Sequence, residues 1–60
     1  MDKEKLKELI QYHKDKMNEC ESKASHKRSN FHYDIAERLD VEADNHRNMV
    51  AYYEKLLREQ

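Results

Sequence analysis

The second half of the chain carries the clearest hydrophobic pattern. Between Ile35 and Leu57, apolar residues and one histidine recur at alternating steps of three and four: Ala36, Leu39, Ala43, His46, Val50, Tyr53 and Leu57. This spacing is typical of a helix that packs along one side. Met49 and Leu56 lie beside the row, as does Ile35, so the apolar face is wider than a two-stranded seam requires. The pattern predicts a helix with more than one helical neighbour.

The first half repeats this rhythm. Its core row consists of Leu6, Ile10, His13, Met17, Cys20 and Ala24, and Leu9 widens the first turns. The pattern lapses at positions 25–30, which are all polar and suit a connection between helices. Ser29 or Asn30 is expected to cap the following helix, and Asn30 can also adopt a left-handed conformation. Phe31 is expected to cover the tip.

We therefore predict an all-α, antiparallel two-helix hairpin in a single domain. The first helix runs from about residue 2 to 27, the turn from about 28 to 30, and the second helix from about 31 to 58. In such a hairpin the numbers of facing residues sum to about 59 or 60, so large side chains mostly meet small ones. Two alternatives stay open: one uninterrupted helix in a long coiled coil, and a third helix that starts near Asp40–Asn45.

The width of the apolar face predicts a homodimer, in which two hairpins form a four-helix bundle. Two helices alone leave several apolar side chains partly in water, and a second hairpin covers them. The expected oligomer interface consists of Leu9, Ile35, Leu39, Ala43, His46, Met49, Val50, Tyr53, Leu56 and Leu57.

Composition narrows the class of protein. Charged residues make up 42% of the 60 positions, which suits either disorder or a solvated helix, and the regular period together with the absence of Gly and Pro favours the helix. With 12 basic and 13 acidic side chains mixed along the chain, we expect no nucleic-acid partner. No apolar run reaches the roughly 20 residues of a membrane span, and a single cysteine fits a reducing compartment. The cytoplasm is the expected location, and no membrane partner is expected.

Three polar residues fall on or beside the core rows. His13 and His46 share one layer of the hairpin, and Glu42 lies one turn before His46. One interpretation is a buried polar layer that sets register and partner number. The other is a metal-binding or pH-responsive bundle, because imidazole and carboxylate groups bind metals and histidine titrates between pH 5 and 8. The Glu-x-x-His repeats of di-iron bundles are absent, so we predict no cofactor.

Other positions are candidates for recognition or chemistry. Cys20 has apolar neighbours in register and is expected to be an inert core thiol. No catalytic triad, glycine-rich phosphate loop or carboxylate pair is visible, so we expect no enzyme. The candidate partner-binding residues are a tyrosine pair near the termini and a basic tip beside the turn: Tyr12, Tyr52, His26, Lys27 and Arg28.

Two resemblances bear on function. The segment 36–40, Ala-Glu-Arg-Leu-Asp, resembles the Ser-Gln-Glu-Leu-Asp motif of small sporulation-regulating aspartyl phosphatases of Gram-positive bacteria, and only Leu39 and Asp40 match in place. That activity is not carried over. A short hairpin rich in Lys and Glu also looks like many small phage proteins. The sequence favours a small, non-enzymatic protein-interaction module that acts as an inhibitor, adaptor or assembly factor.

Overall fold

The computed structural model describes residues 2–60, which form two α-helices packed against each other. Helix α1 spans Lys3–Ser29 and helix α2 spans Tyr33–Arg58. The molecule is a rod of about 45 × 13 × 11 Å. No described residue lies in a strand. The predicted all-α hairpin is confirmed, and the single long helix of the alternative prediction is wrong.

Helix α1 begins at a capped end. Asp2 has an extended backbone, and its carboxylate accepts a hydrogen bond from the backbone N–H of Glu4 over 3.4 Å. The last turn holds His26, Lys27 and Arg28, and the positive charge of Lys27 and Arg28 suits the carbonyl end of a helix. Local sequence therefore supports both ends of α1.

The connection lies two residues later than the pattern predicts. Asn30 is the C-cap of α1, and Phe31 adopts a left-handed backbone with φ of 64°. The His32 N–H donates to Lys27 O over 2.8 Å, and the Phe31 N–H donates to Arg28 O over 3.1 Å. These two bonds form a Schellman motif, which satisfies the last carbonyls of the helix.

The residue in the left-handed position differs from the one that sequence favours. The sequence allows a left-handed backbone at Asn30, but Phe31 adopts that conformation instead. The expected cap of α2 was Ser29 or Asn30, whereas His32 occupies it without a side-chain hydrogen bond. Ser29 instead stays in α1, where its hydroxyl donates to Ser25 O over 3.0 Å. The Schellman bonds thus set the geometry of the turn.

Helix α2 continues without a break through Asp40–Asn45. A third helix starting in this segment is therefore excluded. The buried row, Ala36, Ala43 and Val50, keeps its seven-residue phase through the segment. An unbroken apolar seam keeps α2 packed against α1 along its length, since a change of helix would have shifted that phase.

The core between the two helices is thin. Its buried members are Leu6, Ile10, Cys20, Ala24, Ala36, Ala43 and Val50. Leu6 is the only large side chain enclosed almost completely among the described residues. Small residues at the contact allow the helices to approach closely but remove little apolar area from water. Within residues 2–60 no helix is long and apolar enough to cross a membrane.

Candidate functional site

The most unusual contact in the hairpin joins two histidines. His13 on α1 and His46 on α2 place their Nδ1 atoms 2.8 Å apart, and both side chains are half-buried. At that distance one ring donates its N–H and the other accepts with its lone pair. The prediction that these residues share a layer is confirmed.

Glu42 does not join this imidazole pair. Its carboxylate accepts a hydrogen bond from the Cys20 thiol, with 3.7 Å between Sγ and Oε2, and Glu42 itself is exposed. Within residues 2–60 there is no group of three or more His, Cys, Asp or Glu side chains that could hold a metal. A single cluster of His13, Glu42 and His46 is therefore wrong as a prediction.

Cys20 is a core thiol, as predicted. It is buried between the helices. Burial raises the pKa of the thiol, and the nearby Glu42 carboxylate raises that pKa further. The thiolate is the reactive form of cysteine, so this environment disfavours nucleophilic chemistry at Cys20.

Two tyrosine rings lie against the His13 member of the imidazole pair. His13 lies edge-to-face against Tyr12, with ring centroids 5.1 Å apart, and stacks on Tyr53 at 5.8 Å. Tyr52 lies edge-to-face against Tyr53 at 5.5 Å. We call Tyr12, His13, His46, Tyr52 and Tyr53 the aromatic cluster. Tyr12 and Tyr52 are 54% and 55% exposed, so the outer rings of the cluster are open to solvent.

The hairpin tip presents an aromatic residue to solvent. Phe31 is 77% exposed, so the expectation that it covers the tip is wrong. Its ring lies against that of Tyr33, at 6.2 Å between centroids. The lapse of the hydrophobic pattern just before Phe31 could have indicated an exposed position. The tip carries two neighbouring exposed aromatic rings.

The predicted basic tip is divided between different contacts. Arg28 donates to Asp40 on α2 over 2.6 Å. The Asn30 side-chain amide donates to His26 O over 3.1 Å and lies 3.2 Å from His26 Nε2. Lys27 is half-buried. The structure therefore does not gather these side chains into one basic patch.

Lys27 instead lines a groove near the tip, on the side of Ile35. The groove has a volume of about 500 Å³ and is bordered by Ser22, Lys23, His26, Lys27, Ile35 and Leu39. Lys23 donates to Glu19 over 2.9 Å, and this hydrogen bond raises the pKa of the ammonium group. The groove thus has apolar side chains on α2 and polar or basic side chains on α1.

The predicted interface residues divide into an inner and an outer set. Ala43 and Val50 are already buried inside the single hairpin, so they form its inner set. Ile35 and Met49 are each 37% exposed. The remaining members are half-buried: Leu9, Leu39, His46, Tyr53, Leu56 and Leu57.

The outer set lies on one side of the hairpin. Four residues of α2 recur every seven positions: Ile35, Glu42, Met49 and Leu56. Each of them comes one position before a residue of the buried row or before Leu57. At about 100° per residue this stripe flanks the row on one side. We call Ile35, Met49 and Leu56 the apolar stripe.

The other flank of the buried row is polar. Arg28 on α1 pairs with Asp40, and Arg47 pairs with Glu21 on α1 and with Asp44, each over 2.6 Å. Asp40 and Arg47 each come four residues after a member of the buried row. Around the helix axis they therefore lie about 40° from that row, on the side away from the apolar stripe. The two flanks of the hairpin therefore differ in polarity: interhelical ion pairs lie on one flank and the apolar stripe lies on the other.

Comparisons with protein-family models, curated proteins and solved structures gave no match to this chain. No relative supplies an activity or a partner.

Proposed function

We propose that this chain is a small, non-enzymatic protein-interaction module that pairs with a second copy of itself through the apolar stripe. A chain of this size buries only about 60% of its unfolded surface, which leaves a single hairpin marginally stable. Within residues 2–60 the core encloses only one large side chain completely. The observation that supports the proposal is that Ile35 and Met49, which flank this core on the same side, are each 37% exposed, whereas interhelical ion pairs line the other side.

A second hairpin is the occupant that fits this stripe. The stripe runs along α2 from Ile35 to Leu56, which is three steps of seven residues. This length allows a helix of a second hairpin to pack along it. Pairing two hairpins across it gives a four-helix bundle, in which the half-buried residues of each chain are covered from both sides. The ion-paired flank stays in water, where such pairs are well solvated.

The surfaces that remain outside the bundle are proposed to contact a partner protein. They are the exposed Phe31 and Tyr33 at one end, and Tyr12 and Tyr52 near the termini. Tyrosine and phenylalanine are enriched at protein interfaces, because each supplies a large contact area with few rotatable bonds. In this role the module acts by occupying a partner's surface, as an inhibitor, adaptor or assembly factor.

Two matched lysine substitutions test the pairing. Met49→Lys places a charge on the apolar stripe, and Val41→Lys places the same charge at an exposed apolar position that lies off the stripe. We expect Met49→Lys to raise the dimer dissociation constant at least about tenfold, since burial of a Met side chain contributes about 1.5–3 kcal/mol. Val41→Lys should leave that constant unchanged.

The measurement is light scattering after size-exclusion chromatography over a range of concentrations, with circular dichroism to show that both variants stay helical. Equal dissociation constants for the two variants would contradict the proposed interface. A larger increase of the dissociation constant in Val41→Lys than in Met49→Lys would place the dimer contact on another side of α2.

A further inference from the structure

The imidazole pair holds two nitrogen atoms aimed at one point from different helices. His13 Nδ1 and His46 Nδ1 are 2.8 Å apart, although the residues lie 33 positions apart in the chain. In the neutral pair a single hydrogen lies between the two nitrogens. A group that binds two lone pairs can take the place of that hydrogen.

The His13 ring is packed between two tyrosine rings. Tyr12 contacts the edge of His13 and Tyr53 stacks on its face. The two imidazole rings are 5.1 Å apart and tilted by 38°. Folding of the hairpin thus brings the two nitrogens together, and the unfolded chain lacks this arrangement.

We propose that His13 and His46 form a two-imidazole clamp for a divalent transition-metal ion that favours nitrogen ligands, namely Zn²⁺, Ni²⁺ or Cu²⁺. Zinc–nitrogen bonds are about 2.0–2.1 Å long, so two nitrogens on a tetrahedral ion lie about 3.3 Å apart. The observed 2.8 Å is about 0.5 Å shorter than this, so binding requires the two nitrogens to separate by that amount and both lone pairs to turn towards the ion. The ring that carried hydrogen on Nδ1 takes it on Nε2, so two neutral imidazoles bind without net loss of a proton.

Among residues 2–60, His13 and His46 are the two ligands at the clamp. The Cys20–Glu42 contact lies about two turns along α1 from His13, and no group of three or more ligands exists within the described residues. Water fills the remaining coordination positions. The clamp joins α1 to α2 within one chain, so it does not depend on the pairing of two copies.

Metal binding to the clamp should stabilise the folded hairpin. An ion that binds the native state but not the unfolded state raises the unfolding temperature. For the untagged chain we expect 1 mM ZnCl₂ or NiCl₂ to raise the midpoint temperature of thermal unfolding by at least about 4 °C. MgCl₂ should give no shift, because magnesium prefers oxygen ligands.

The remaining histidines supply a matched control. His13→Asn and His46→Asn each remove one ligand and keep a polar side chain, whereas the double variant His26→Asn/His32→Asn removes the two histidines near the tip. The zinc shift should disappear in each single variant and persist in the double variant. A shift that persists in His46→Asn, or that disappears in the tip variant, would overturn the proposal.

A second measurement uses the unaltered chain and so does not depend on the folding of a variant. The electron paramagnetic resonance spectrum of the chain with one equivalent of Cu²⁺ should show coupling to two imidazole nitrogens. Coupling to one nitrogen, or the spectrum of aqueous copper, would contradict the clamp.

Discussion

At residue 31 the chain holds an aromatic side chain in a backbone conformation that favours glycine. The left-handed conformation costs an L-residue about 1–2 kcal/mol because Cβ approaches the carbonyl oxygen. Phe31 adopts it with φ of 64° and leaves its ring mostly in solvent. The hairpin therefore keeps a locally unfavourable residue whose side chain adds little to the core.

Two substitutions of Phe31 should separate the effect of its backbone conformation on stability from the effect of its ring. Phe31→Gly should increase the free energy of unfolding by about 1 kcal/mol, since glycine adopts positive φ without the Cβ clash. Phe31→Ala removes the same ring but keeps Cβ, and should give no such gain. Urea unfolding followed by circular dichroism measures both, and a gain of equal size in the two variants would assign the effect to the ring.

Cys20 supplies a residue-scale prediction about pH. The folded pKa of the thiol lies above its ordinary value of 9.0. Its contribution to stability is thus fully present below pH 9, and is lost as the unfolded thiol ionises above that pH while the folded thiol stays protonated.

The variant Cys20→Ala isolates this contribution, because all other titrating groups are common to both chains. The free energy of unfolding of the native chain, measured in urea, should fall relative to that of Cys20→Ala between pH 8 and pH 10.5. A difference that stays constant over this range would show that the fold does not perturb the thiol.

At the scale of the helices, the seam depends on small residues in α2. Ala36 and Ala43 are almost completely buried where α2 faces α1. A larger side chain at such a position must push the helices apart or take a strained rotamer. Close approach of the two backbones is therefore the property that the buried alanines provide.

Ala43→Leu should reduce the free energy of unfolding by about 1–3 kcal/mol, because the seam has no room for the added atoms. Ala51→Leu adds the same atoms at an exposed position of the same helix and should change stability little. Thermal unfolding by circular dichroism compares the two variants. Equal unfolding temperatures for Ala43→Leu and Ala51→Leu would mean that the seam between the helices is loosely packed.

Periodicity predicted the helices and the shared layer of His13 and His46, because both follow from which positions face the neighbouring helix. It did not predict the position of the turn, where hydrogen bonds to Lys27 O and Arg28 O outweigh the residue preference for Asn30. Nor did it predict that the Glu42 carboxylate contacts Cys20, since side-chain rotamers decide between neighbours one turn apart. Burial of Ala43 and Val50 within one chain depends on how closely the helices approach.

For the whole molecule, the decisive feature is the difference between the two flanks of the hairpin. Ion pairs across the helices cover one flank, exemplified by Arg47 and Glu21. Ile35 and Met49 leave the other flank partly apolar and exposed. A monomer with so thin a core would gain stability by covering that flank, and a second copy covers it with the same residues.

Sedimentation equilibrium of the unaltered chain at neutral pH tests this account most directly. We expect the mass to be twice the 7.4 kDa of one chain at concentrations where circular dichroism shows full helicity. A mass of one chain with the same helicity would contradict the account, because the hairpin would then be stable with its apolar stripe in water.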